Sequence, residues 1–80
     1  MERRSEKSLA VSVEKAVKEY LKMMDDQQVT DLYELVIREI EAPLLESVLQ
    51  YTGNNQSQTA IILGLNRGTL RKKLRKYRLL

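Results

Sequence analysis

This chain of 80 residues contains no cysteine and no histidine. The first absence excludes a disulfide framework and a thiolate metal site, and it fits a reducing cytoplasm. The second removes the commonest general base and the commonest metal ligand. There is no glycine-rich phosphate loop and no spaced ligand set either, so neither an enzyme nor a cofactor or metal site is expected. No apolar run approaches the roughly 18 residues of a membrane span, and the opening MERRSEKS lacks the apolar core of a signal peptide.

A further absence is one of position. The last acid is Glu46. Residues 1–46 hold seven Lys/Arg against eleven Asp/Glu, a net charge of −4, whereas residues 47–80 hold seven Lys/Arg and no acid, a net of +7. The overall +3 conceals this split. A polar, cationic, carboxylate-free segment suits a polyanion, because each neutralised phosphate releases condensed counterions. A basic helix complementing its own macrodipole would account for Lys72 to Arg78. It would not account for Arg67, which stands at the positive end.

Within the basic half, Asn54 to Tyr77, NNQSQTAIILGLNRGTLRKKLRKY, has the pattern of a helix-turn-helix. Two short helical patterns flank Gly64-Leu65-Asn66, where Gly can take the positive φ that ends one helix and Asn can cap the next. Ser57 is the expected N-cap of the first of these helices. Ala60 is small where a crossing helix comes near, and Ile61, Leu63, Leu65, Leu70 and Leu74 are the expected shared core. Leu70, Leu74 and Tyr77 fall on one stripe of the last helix, with Arg71, Lys72, Arg75 and Lys76 opposite. Gly68 lies on the basic side, where a helix entering a groove gains from having no side chain, although Gly costs about 0.8–1 kcal/mol relative to Ala in a helix.

The first 51 residues read as support. Met1 to Lys7 has no periodicity, and residues 1–8 are expected to form an arm. Leu9, Val13, Ala16, Val17, Tyr20, Leu21 and Met24 recur at helical spacing, with Ser8 or Ser12 as the cap. Asp25-Asp26-Gln27-Gln28 breaks that pattern. Thr30 is the expected cap of a second helix, with Asp31 and Glu34 in its first turn. Val29, Leu32, Tyr33, Val36, Ile37, Ile40, Leu44, Val48 and Tyr51 form its stripe, roughly 30 Å long. Pro43 lies inside, and the unbroken stripe favours one kinked helix over two. Leu35, Ala42, Leu45 and Leu49 widen the apolar arc beyond what one neighbouring helix can cover. Residues 9–51 are therefore expected to dimerise, two antiparallel helices from each chain making a four-helix core. Val13, Val17, Tyr20, Leu32, Val36, Ile40 and Leu44 are its expected centre, and residues 54–80 form the helix-turn-helix.

In a groove-bound helix the N-terminal residues meet base edges, and the arginine fork matches guanine O6 and N7. Arg67 is the expected reader; Asn66 caps its helix and can reach a base. Thr69, Arg71, Lys72, Arg75 and Lys76 are expected on phosphates. Ser57 and Gln58 can offer hydroxyl and amide groups to another phosphate, and Lys73, beside the apolar stripe, is expected to snorkel along it. With each specific pair contributing about 1–3 kcal/mol, recognition should be degenerate and lean on DNA shape. Two other classes fit less well. A basic helix over 67–80 lying on an anionic membrane would need the narrow stripe that packs the preceding helix, and a pure dimerisation module leaves the acid-free half unexplained.

The segment QQVTDLYELVIREIEAPLLESVLQYTGNNQSQTAIILGLNRGTLRKKLRKY resembles the Fis family, the factors for inversion stimulation. The likeness runs from about Leu9 to Tyr77, carried by DLYELV, PLL and NRGTLRKKL. It implies an all-α chain of four helices, the first two interlocking in a homodimer and the last two forming the helix-turn-helix. It implies a nucleoid-associated transcription regulator and architectural factor that bends double-stranded DNA, compressing an A/T-rich central minor groove. Arg67 would read guanine near each end, with Asn66, Thr69, Arg71, Lys72, Arg75 and Lys76 as DNA contacts. A contact with RNA polymerase would fall on the Gln50–Gln56 region, although Gly53 stands where enteric members carry the arginine that serves it. Family members have a longer N-terminal arm that touches DNA invertases; the short segment here weighs against that contact. Gln58 replaces an arginine near the DNA backbone, which should weaken binding and lower its salt slope. The alternative is the similar C-terminal DNA-binding domain of enhancer-binding response regulators; Met1, LYELV and NRGTLRKKL favour a free-standing protein.

Overall fold

Ser8 caps the first helix. Its Oγ accepts a hydrogen bond from the Val11 N–H at 3.2 Å, and its carbonyl accepts from Ser12 N at 3.1 Å. Of the two candidate caps Ser8 serves, and Ser12 lies inside the helix. The computed structural model describes residues 8–24 and 28–80. The expected arm over Met1 to Lys7, and Asp25 to Gln27 of the expected break, lie outside the described residues.

Among the described residues there are four helices and no strand: α1 (Leu9–Met23), α2 (Leu32–Tyr51), α3 (Gln56–Leu63) and α4 (Arg67–Lys76). The all-α expectation holds. The chain forms two compact units, one ending at Val36 and one spanning Ile37–Leu80.

In the first unit, α1 carries its stripe without burying any residue of it. Val13, Val17 and Tyr20 are half-buried, and Leu9, Val11, Leu21 and Met23 are exposed. The start of α2 differs from expectation. Thr30 does not cap it; the Asp31 carbonyl accepts from Leu35 N at 3.1 Å, and the helix begins at Leu32. Asp31 has φ +58°, a left-handed conformation that a short polar side chain tolerates better than a β-branched one such as Thr. Glu34 is then the acid of the first turn.

α2 runs through Pro43 as one helix, as the continuous stripe implies. From Ile37 onward it belongs to the second unit, whose core is Leu45 and Leu49 of α2, Ala60 of α3, and Leu70 and Leu74 of α4. Leu63, Leu65, Tyr77 and Leu79 pack around it. Leu45, read as a flank of the stripe, is 1% exposed and packs with the helix-turn-helix leucines, while Leu44, on the main stripe, is 48% exposed. One expectation is corrected here. Ile61, expected in the core, is 72% exposed, because α3 turns Thr59 and Ala60 inward instead. Small residues on that face let the short helix approach its neighbours closely.

Thr59 is fully buried, yet its hydroxyl has a partner: Thr52 Oγ1 lies 2.8 Å away. Thr52 Oγ1 also accepts from Asn55 N at 3.2 Å and stands 3.1 Å from the Leu49 carbonyl and 3.2 Å from that of Asn55. With Thr52 donating to one carbonyl and Thr59 donating to Thr52, every hydroxyl proton is placed. The tip between α2 and α3 is thereby stitched, with Gly53 and Asn54 both left-handed at φ +67° and +68°.

Candidate nucleic-acid interface

The turn between α3 and α4 is closed at both sides by side chains suited to it. Gly64 takes φ +74°, which glycine adopts without penalty, and Leu65 N donates to the Ala60 carbonyl at 2.9 Å. Asn66 stays extended, and its Oδ1 accepts from Thr69 N at 2.8 Å. Capping by Asn66 agrees with the sequence pattern. At α3 the cap is Asn55, whose Oδ1 accepts from Gln58 N at 2.9 Å, and not Ser57, which is an exposed residue of the first turn. An Asn-x-x-Gln spacing at Asn55 and Gln58 could have flagged it as well as Ser57 did.

α4 divides cleanly. Leu70 and Leu74 are fully buried and Tyr77 is half-buried, whereas Arg67, Arg71, Lys72, Arg75 and Lys76 are exposed. Thr69 is half-buried at the edge of the basic face, and Ser57 and Gln58 are exposed on α3. Arg67 is the first residue of α4, beside the capping Asn66. Gly68 follows; a Cβ placed there would meet Asn66 Oδ1 at 3.5 Å, an ordinary contact. Nothing among the described residues requires glycine at this position.

Not every cation of the helix points outward. Lys73, expected to snorkel, instead forms an ion pair with Glu41 Oε2 at 2.7 Å. Tyr77 donates its hydroxyl to Glu41 Oε1 at 2.5 Å. The Lys73 and Tyr77 hydrogen bonds hold the Glu41 carboxyl below the usual glutamate range, against the opposing effect of its burial. Glu41 is thus tied to α4 through both of its carboxylate oxygens. Arg71 Nη1 donates to Gln56 Oε1 at 2.7 Å, joining α4 to the start of α3. The Lys76 ammonium stands 5.4 Å from the Tyr77 ring centroid.

Sequence reasoning therefore found the basic face, the turn and the Asn66 cap. It missed Glu41, Gln56, Asn55 and the Thr52–Thr59 pair, whose signals were short polar residues with several equally plausible uses. The apolar edge that a membrane-lying helix would need is occupied, since Leu70 and Leu74 are buried and Leu79 packs on the core. Among the described residues no helix is long and apolar enough to cross a membrane.

A short trihelical packing with a capped, cation-faced last helix defines a helix-turn-helix protein. A profile described as "Bacterial regulatory protein, Fis family" matches residues 36–77. The chain is also 53% identical over 73 residues to "DNA-binding protein Fis" of Yersinia enterocolitica serotype O:8 / biotype 1B, and to the proteins of that name from Enterobacter sp. (strain 638) and Pectobacterium carotovorum. In each case the aligned part covers 91% of this chain and 74% of the relative. The chain belongs to the Fis family.

Proposed function

We propose that this chain is a homodimeric, DNA-binding and DNA-bending regulator that acts on the nucleoid in the cytoplasm. The observation that carries the proposal is the division of α4: two leucines fully buried on one side, and Arg67, Arg71, Lys72, Arg75 and Lys76 exposed on a half of the chain that has no acid. The relatives' name, that of a DNA-binding protein, supports this role over that of a response-regulator domain.

Arg67 is the base reader in this proposal, with Asn66 at the base edge as far as its cap allows. Ser57, Gln58, Thr69, Arg71, Lys72, Arg75 and Lys76 meet the backbone, fixing register without reading sequence. One arginine per subunit gives a degenerate preference, so DNA deformability supplies much of the selectivity.

The homodimer is supported by what a single chain leaves uncovered. α1 buries nothing, and Tyr33, Leu44 and Tyr51 of α2 are exposed. Val13, Val17, Tyr20, Leu32, Val36, Ile40 and Leu44 form the core of that dimer in residues 9–51, and residues 54–80 carry the DNA-binding part. The surface for RNA polymerase in this proposal is the Gln50–Gln56 tip, where Gly53 offers no side chain.

Circularly permuted duplexes carrying a palindrome with terminal guanines and an A/T-rich centre test the proposal by electrophoresis. Two chains per duplex, with mobility that depends on site position and is lost with Arg67→Ala, are expected. Binding without position dependence would remove the bending, and no binding at low salt would remove the role altogether.

A further inference from the structure

The acid that contacts the last helix belongs to α2. Glu41 is half-buried, and both of its oxygens are used: Oε2 by Lys73 at 2.7 Å and Oε1 by the Tyr77 hydroxyl at 2.5 Å. The donors lie in the last turn of α4 and at its C-cap, 32 and 36 residues further along the chain. Tyr77 in turn lies beneath Lys76, 5.4 Å from ring centroid to ammonium. One carboxylate therefore draws Lys73 inward and holds the ring on which Lys76 rests.

Apolar packing alone does not fix how α4 is turned about its own axis. Leu70 and Leu74 hold the helix to the core, but burial is non-directional; the Asn66 cap acts only at the other end, and the Arg71–Gln56 bond ties α4 to α3 rather than to α2. A rotation of about 20° moves a side-chain end about 5–6 Å from the axis by roughly 2 Å, enough to break a hydrogen bond. Two directional, charge-assisted bonds at the C-terminal end oppose that rotation.

We propose that Glu41 is a positioning residue for the DNA-reading helix: by holding Lys73 and Tyr77 it sets the rotation of α4 on α2, and it withholds Lys73 from the phosphates that the other α4 cations meet. The inference rests on the DNA-binding role proposed above. It divides the six cations of α4, Arg67, Arg71, Lys72, Lys73, Arg75 and Lys76, into five that face the polyanion and one that anchors the helix.

The test uses the full chain as wild type, Glu41→Gln and Lys73→Met, each titrated with the palindromic duplex over a range of salt and each checked for folding by thermal melting. Lys73→Met is expected to leave the slope of log affinity against log salt unchanged. Glu41→Gln, measured where it is fully folded, is expected to bind about tenfold more weakly, the loss associated with one charge-assisted hydrogen bond, and to shift the mobility of the bent complex. A drop in the salt slope of about one on Lys73→Met would make Lys73 a phosphate contact and overturn the proposal. So would a Glu41→Gln protein that melts earlier but binds and bends DNA as wild type does, since a purely structural role predicts that result. If Glu41→Gln fails to fold, Tyr77→Phe, which removes one of the two bonds, takes its place with the same two outcomes, weaker binding with an altered bend supporting the positioning role and wild-type binding and bending overturning it. Failure of the wild type to bind is a separate outcome, removing this proposal together with the role it rests on.

Discussion

The hydroxyls of Thr52 and Thr59 meet 2.8 Å apart at the junction of α2 and α3, and Thr59 has no exposed surface. A buried hydroxyl without a partner is costly, so this pair explains how a polar residue sits among Leu45, Leu49, Ala60, Leu70 and Leu74. Thr59→Val should destabilise the protein by about 1–2 kcal/mol in urea unfolding. Thr52→Val should cost a similar amount, and the double variant less than the sum of the two, because they share one interaction. Strict additivity would show that the hydroxyls act independently.

Asn66 has one side-chain oxygen, and it is engaged by Thr69 N at 2.8 Å. Asn66→Ala should therefore cost about 1 kcal/mol of stability. Asn66→Asp keeps the cap, so its stability should stay near wild type. Any loss of DNA affinity in Asn66→Asp then reports on the amide group or on added negative charge, and Asn66→Ser separates those two. Equal destabilisation by all three substitutions would contradict the capping role.

Gly68 offers the opposite case, a residue that folding does not need. Among the described residues an added methyl meets only Asn66 Oδ1, at 3.5 Å, and alanine is the better helix former. Gly68→Ala should raise stability by about 0.5–1 kcal/mol. The same change should weaken binding to the palindromic duplex if α4 approaches DNA along that face. Unchanged affinity would mean that the helix keeps its distance there.

Acid stability should follow Glu41. Its folded pKa is lowered below the ordinary value of 4.5, chiefly by the Lys73 hydrogen bond and then by that of Tyr77, with the Lys73 and Lys76 charges adding to it. A carboxylate depressed on folding contributes stability that is present above the unfolded pKa and lost as pH falls through the folded one. Urea midpoints for wild type and Glu41→Gln should therefore differ most near neutrality, and the gap should close as the pH falls below about 4.5. A gap that stays constant to pH 3 would assign the effect of the substitution to something other than charge.

How much of this was legible from the sequence depended on the range of the interaction. Period and capping are local, so α1, α2, the Gly64 turn and the Asn66 cap follow from spacing. The basic face of α4 follows from it as well, since Leu70 and Leu74 recur four apart with cations between. Rotation of one helix against another is not local. Leu44 and Leu45 are adjacent and equally apolar, and only the position of α4 decides that Leu45 goes inside. The same holds for Ile61 against Thr59: hydrophobicity favoured the isoleucine, and close packing with a hydroxyl partner favoured the threonine. Glu41 was one acid among several on α2 until the fold brought Lys73 and Tyr77 to it. Thr30 is separated from the start of α2 by a left-handed Asp31, a backbone choice that composition does not reveal.

The most direct test of the central claim is a binding cycle between Arg67 and guanine, measured by titration at one fixed salt concentration. Wild type and Arg67→Ala are each titrated with the palindromic duplex and with the same duplex after its terminal guanines are replaced. If α4 reads DNA through Arg67, the substitution costs about 1–3 kcal/mol on the guanine duplex and far less on the other. An equal loss on both duplexes would make Arg67 one more phosphate contact and would contradict the assignment of base reading to the start of α4.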